Sequence, residues 1–185
     1  VYVDRMGEPV APLYNYLKPV STTFPYDDFG GEAEFARKTA SPILGNLNSG
    51  LQVYESMHRF FWPEVFKVLH FPNYLASLFT GQFFSEITSI GCHTALWDFD
   101  LGQYHPWVAK ISDRLAPISN DASLEIDGIN YGIGLHDSSA ALVPYLRSVD
   151  EEFILLSTGT WCIAMHPFNE SPLTAAELSN DVLCY

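Results

Sequence analysis

At 185 residues, 48% of them apolar and 15% aromatic, the chain carries enough core-forming side chains for an ordinary folded domain and falls outside the polar, highly charged composition of disordered segments. Nine Lys and Arg against 22 Asp and Glu leave a formal charge of −13, which repels phosphate backbones and anionic lipid and so argues against nucleic acid and membrane partners. Cys92, Cys162 and Cys184 are odd in number and widely spaced, which fits a reducing, cytoplasmic setting better than a disulfide framework or a zinc site.

No run reaches the ~18 uninterrupted apolar residues of a membrane helix, and no basic leader opens the chain. The first residue is Val1, and Leu178 to Tyr185 breaks off just after a helix start, so both ends read as cut. Val1 to Val3 and Val10 to Tyr16 form two short apolar runs around Gly7, the pattern of a hairpin. Gly31 to Lys38 favours helix, Ser41 to Gly50 is a turn-rich connection, and Leu51 to Phe61 resumes as helix. Pro63 opens a further predicted helix, along which Val65, Phe66, Val68 and Leu69 lay an apolar core stripe. Phe71 to Gly81 repeats apolar groups at helical spacing and ends where a left-handed glycine cap is natural.

Tyr104 to Leu115 reads as a short helix and Asp121 to Asp127 as a polar connection. Ile129 to Leu135 alternates apolar and small residues as a buried strand does, and leads into His136. Ser138 to Leu146 is a helix, Phe153 to Leu156 a second buried strand, and Trp161 to Met165 a third across the turn Ser157 to Thr160.

The sharpest local pattern is this strand, then Gly134, Leu135, His136, Asp137, Ser138 and Ser139, then helix. It puts Asp137 at a strand's carboxyl end, where open α/β sheets bind ligands. A carboxylate there can accept the proton of an attacking hydroxyl, as phosphoryl transfer to an alcohol requires, beside helix amides that favour negative charge. The same residues equally describe an ordinary N-cap. Ser157, Thr158, Gly159 and Thr160 lie between two apolar runs, where a glycine admits close backbone approach and hydroxyls can donate to phosphate oxygens. A plain hairpin turn has the same composition. His93, His105, His136 and His166 show no metal-ligand spacing, so no metal site is assigned, and Glu151 with Glu152 reads as a solvated turn. A hydrolase built on Asp137 and His136, with Ser138 or Ser139 as nucleophile, is disfavoured because adjacent residues rarely face one another across a site.

Taken together and in order, these segments resemble the FGGY carbohydrate kinases over nearly the whole chain. Gly132 to Leu142 is similar to the segment that closes the family's first domain, whose aspartate is the catalytic base; the resemblance assigns that role to Asp137. Leu156 to Trp161 resembles the hairpin that opens the second domain and contacts ATP phosphates, in wording closest to rhamnulokinases and fuculokinases, and His136 before the aspartate points the same way. Phe71 to Gly81, then Glu86-Ile87-Thr88-Ser89 and Thr94, resemble the helix and threonine-bearing segment before the substrate region. Tyr14 to Lys18 falls where many members carry a sugar-binding aspartate, and Tyr16 stands in its place, leaving Asn15, Lys18 and His136 as the substrate-facing candidates.

The resemblance implies an α/β, ribonuclease H-like, actin-like ATPase fold, here partial, with residues 1–147 from the first domain and 148–185 opening the second. It implies ATP and Mg2+ as cofactors and a ketose or deoxy-ketose as substrate, held opposite Ser157, Thr158, Gly159 and Thr160. It also implies that the first-domain strand holding Mg2+ and the adenosine-binding segments lie outside these residues, so that the chain alone is inactive. The sugar and the oligomeric state stay open, a homodimer among the options. The rival reading is a non-catalytic actin-like module that binds nucleotide or protein.

Overall fold

A computed structural model of the chain describes residues 1–19, 21–119, 123–158 and 162–184. The chain begins in strand β1 (Tyr2–Val3), and the predicted turn follows: Gly7 adopts φ 87 and the Val10 amide donates to the Tyr2 carbonyl at 2.9 Å. The return arm is not the strand predicted over Val10 to Tyr16. It makes a single bridge at Pro9, because Pro9 and Pro12 bring no amide to a ladder. The lasting partner of β1 is β2 (Lys67–Val68), antiparallel, with Tyr2 opposite Val68.

That pairing also corrects the helix predicted from Pro63. Trp62–Glu64 is one 3-10 turn, after which Val65 turns extended and the Phe66 and Leu69 amides donate to the carbonyls of Val3 and Val1. Two valines and a phenylalanine in sequence suit a pleated surface, and the ladder to β1 decides the outcome. Helix α1 (Glu32–Lys38) forms as expected, with acids in its first turn and Arg37 and Lys38 in its last, complementing the helix dipole. Helix α2 (Ser49–Ser56) ends five residues before the predicted Phe61. Helix α3 (Phe71–Thr80) carries Pro72 in its first turn and Gly81 as its left-handed cap, as predicted.

Helix α4 (Ile87–Gly91) is followed by the ribbon of β3 (Trp97–Asp98) and β4 (Gln103–Tyr104). The helix predicted over Tyr104 to Leu115 is a 3-10 helix, Pro106–Arg114. Beyond it, strands β5 (Ser123–Ile126) and β6 (Ile129–Gly132) form a hairpin across Asp127 and Gly128, at φ 51 and φ 76. Positive φ at both turn positions is what a two-residue hairpin needs, and Asp-Gly supplies it. Thus most of the expected polar connection is a strand, and the strand at 129–132 is exposed where a buried one was predicted. Helix α5 (Asp137–Ser148), the ribbon of β7 (Leu155–Thr158) and β8 (Cys162–Met165), and helix α6 (Ala175–Leu178) complete the described chain.

The core is aromatic and lies in the first two-thirds of the chain. Phe24 is its hub, with the rings of Tyr26, Phe29, Phe35, Tyr54 and Trp107 centred 4.8 to 5.8 Å away. Trp107 is buried and donates its indole N–H to the Ala95 carbonyl at 2.7 Å, which satisfies the one polar atom it takes inside. After Ala116 the buried apolar side chains among the described residues are Leu142, Met165 and Leu173. The mixed α/β content agrees with expectation. The described strands form four two-stranded antiparallel pairs, and parallel pairing among the described residues is limited to the bridges Val68–Leu115 and Ser85–Ile118. The predicted second and third buried strands, β7 and β8, also lie largely exposed, Leu156 included, because no further layer among the described residues covers them.

Candidate functional site

Asp137 is the first residue of α5, one step inside the N-cap, which is His136. It is therefore not the N-cap that its sequence setting allowed, and α5 has no side-chain cap bond. Its carboxylate is 94% exposed and accepts from the Ser138 amide at 2.7 Å, with the His136 imidazole Nδ1 at 3.3 Å from the same oxygen. Two backbone clamps set where this exposed group stands. The His136 amide donates to Thr88 Oγ1 at 3.1 Å, and the Asn73 side-chain amide donates to the carbonyls of Ile133 and Gly134 at 2.9 and 3.3 Å. Gly134, at φ 81, lies so close to α3 that an added Cβ would sit 2.3 Å from the Pro72 carbonyl oxygen. Only glycine combines that conformation with that approach.

The surroundings are titratable groups held neutral. His70 is partly buried beside Ser49 (Oγ to Nε2, 3.2 Å), and burial, aided by the Val1 ammonium and His136, lowers its pKa to about 3. Burial also lowers that of His93, with His136 adding to it. The Cys92 thiol is pushed up to about 12, first by burial and then by the charge of Asp137, so it stays protonated and is no nucleophile at neutral pH.

The other predicted residues lie in three places. Asn15 is exposed and closes its own turn, Oδ1 accepting from the Leu17 amide at 2.8 Å. Lys18 is exposed, its Nζ 5.4 Å from the Tyr14 ring centre, and its carbonyl accepts from the Asn46 side chain at 2.6 Å. Tyr14 and His70 share the lining of a cavity of about 50 Å³, which holds a water or two and no sugar. Ser157 and Thr158 end strand β7, exposed, and their hydroxyls make no hydrogen bond among the described residues. Gly159 and Thr160, the rest of the expected phosphate hairpin, lie outside the described residues. The ribbon's lead-in meets α5 where Phe153 touches Tyr145, 6.3 Å between ring centres. That is eight residues, roughly 12 Å along the helix, from Asp137. No hydrogen bond or ion pair among the described residues joins Asp137 to Ser157 or Thr158.

Among the described residues no group of three or more His, Cys, Asp or Glu could hold a metal ion. Glu86, Thr88 and Asn73 are marked in the sequence only by the resemblance: Glu86 caps α4 by accepting from the Thr88 and Ser89 amides, but Glu is not among the favoured N-cap residues, so no local pattern announces it.

No protein-family model and no curated protein matches the chain. Its structure is similar to the crystal structure of a carbohydrate kinase from Novosphingobium aromaticivorans, with a TM-score of 0.70 and 30% sequence identity over 91% of this chain and 40% of that one. The chain thus spans about two-fifths of that kinase's length and resembles it in both sequence and fold across nearly all of its own.

Proposed function

We propose that the chain is part of an ATP-dependent carbohydrate kinase of the FGGY type, built on the ribonuclease H-like, actin-like fold, in which Asp137 is the general base. The observation that carries this reading is the solvent-open carboxylate of Asp137 at the start of α5, in a chain alike over 91% of its length to a carbohydrate kinase. A sugar hydroxyl lodged against Asp137 gives up its proton as it attacks the terminal phosphate of ATP, and the first-turn amides of α5 stabilise negative charge gathering beside them. ATP and Mg2+ supply the transferable phosphoryl group and its charge neutralisation.

In this reading His136, Asn15 and Lys18 face the sugar, while Ser157 and Thr158, with Gly159 and Thr160, donate to phosphate oxygens. The hydroxyls of Ser157 and Thr158, which make no hydrogen bond among the described residues, fit such donors. The substrate is a ketose or deoxy-ketose, and residues 1–147 and 148–185 belong to the two domains of a cytoplasmic enzyme. The chain spans 40% of the similar kinase, so on this reading the rest of the site lies outside it and it alone does not turn over. The test is sugar-dependent ADP release across a panel of ketoses, L-rhamnulose and L-fuculose among them, by the complete protein and by the 185-residue chain. Release by the complete protein alone is expected. No sugar-dependent release from the complete protein overturns the kinase reading, and release by the chain alone overturns its incompleteness.

A further inference from the structure

Asp137 has almost no packing of its own. With its side chain 94% exposed, its direction is inherited from the backbone of residues 133–136 and from the start of α5. On one side that backbone rests on α3, through Pro72 and Asn73. On the other it meets a short relay from α4. The Glu86 carboxylate, nearly buried, accepts from the Ser89 amide at 2.8 Å, the Thr88 amide at 2.7 Å and the Thr88 hydroxyl at 2.5 Å. Because the Thr88 hydroxyl spends its proton on Glu86, its oxygen is left as an acceptor, and the His136 amide, 48 residues away in sequence, donates to it. The relay therefore has one direction, and it ends at the residue before Asp137.

We infer that Glu86 and Thr88 are positioning residues for Asp137, fixing through the His136 amide the place and aim of the carboxylate. The inference rests on the kinase reading for its catalytic meaning and on geometry alone for its structural content. A backbone clamp suits a base that must remain open to substrate, since side-chain packing would cover the oxygens that have to meet a hydroxyl. Thr88→Val preserves shape and removes both the donated and the accepted hydrogen bond; Thr88→Ser keeps them. Glu86→Gln keeps the volume and withdraws the charge from the relay.

The primary test uses the isotope-labelled 185-residue chain without sugar or nucleotide. Thr88→Val is expected to speed hydrogen exchange of the His136 amide by about tenfold or more. Thr88→Ser restores it, and Glu86→Gln speeds it in the same sense. Should Thr88→Val fail to fold, Glu86→Gln carries the test. Unchanged exchange in the folded variants overturns the inference. In the complete protein Thr88→Val is expected to lower kcat about tenfold with KM for the sugar unchanged, and Thr88→Ser to recover it. If Asp137→Asn abolishes turnover and Thr88→Val does not slow it, the positioning role is wrong. If Asp137→Asn itself leaves turnover intact, it is the kinase reading that has failed.

Discussion

Gly134→Ala is the substitution whose cost can be worked out most fully from the structure. The new Cβ meets the Pro72 carbonyl oxygen at 2.3 Å and its carbon at 2.6 Å, and both are backbone atoms in the first turn of α3, which cannot swing aside as a side chain can. Holding alanine at φ 81 costs on the order of 1–2 kcal/mol by itself. Relief of the clash then requires residues 133–136 to move from α3, which strands the buried Asn73 amide that now donates to Ile133 and Gly134, roughly a further 1–3 kcal/mol. The sum is about 2–5 kcal/mol, or a fall in Tm of roughly 4–20 °C for a chain of this size. Gly128→Ala is the matched control, because Gly128 has a similar φ of 76 but no atom within 4 Å of an added Cβ. It should carry only the backbone cost of about 1–2 kcal/mol. Urea denaturation of both variants gives the difference directly. Equal costs for the two, or a Gly134→Ala cost within about 0.5 kcal/mol of zero, would refute the close approach and with it the α3 clamp.

Three further outcomes are expected. Phe24→Ala, removing the hub on which five rings converge, should destabilise by about 3–5 kcal/mol in the same denaturation assay, whereas truncating exposed Phe60 should change little. His70 has a folded pKa near 3, depressed from the ordinary 6.5 by burial, so the neutral form is the folded one. Its stabilisation is complete above pH 6.5 and is lost as pH falls from 6.5 towards 3, at up to about 1.4 kcal/mol per pH unit; His70→Gln should flatten Tm against pH over that window, and an equally steep profile would contradict the assignment. Iodoacetamide at pH 8, followed by mass spectrometry, should modify exposed Cys162 readily and leave Cys92, buried and held protonated, unmodified.

Locally encoded features were legible in the sequence and distant partnerships were not. The helix over Phe71 to Thr80 with its glycine cap, the helix starting at Asp137, and the turn at Gly7 each follow from residues within one or two turns of chain. The run from Val65 to Leu69 misled because its apolar spacing fits a helix as well as a strand, and what settles it is a partner, β1, more than 60 residues earlier. Composition suggests burial for the strands at 129–132, 155–158 and 162–165, yet burial belongs to whatever layer lies over a strand, which composition does not encode. At the candidate site the helix start at Asp137 follows from local residues, whereas the strand expected to run into His136 ends at Gly132. The clamps were not legible, since Thr88 to His136 and Asn73 to Ile133 are contacts across 48 and 60 residues.

The kinase assignment comes down to what the Asp137 carboxylate does for a sugar hydroxyl. Asp137→Asn changes one oxygen to an amide at an exposed position and leaves the fold intact, so steady-state ADP release by the complete protein, wild type against Asp137→Asn, measures that role directly. Loss of general-base catalysis predicts a kcat lower by about 10²- to 10⁴-fold with KM for the sugar within a few-fold of wild type. An Asp137→Asn protein that turns over sugar at the wild-type rate would contradict the account.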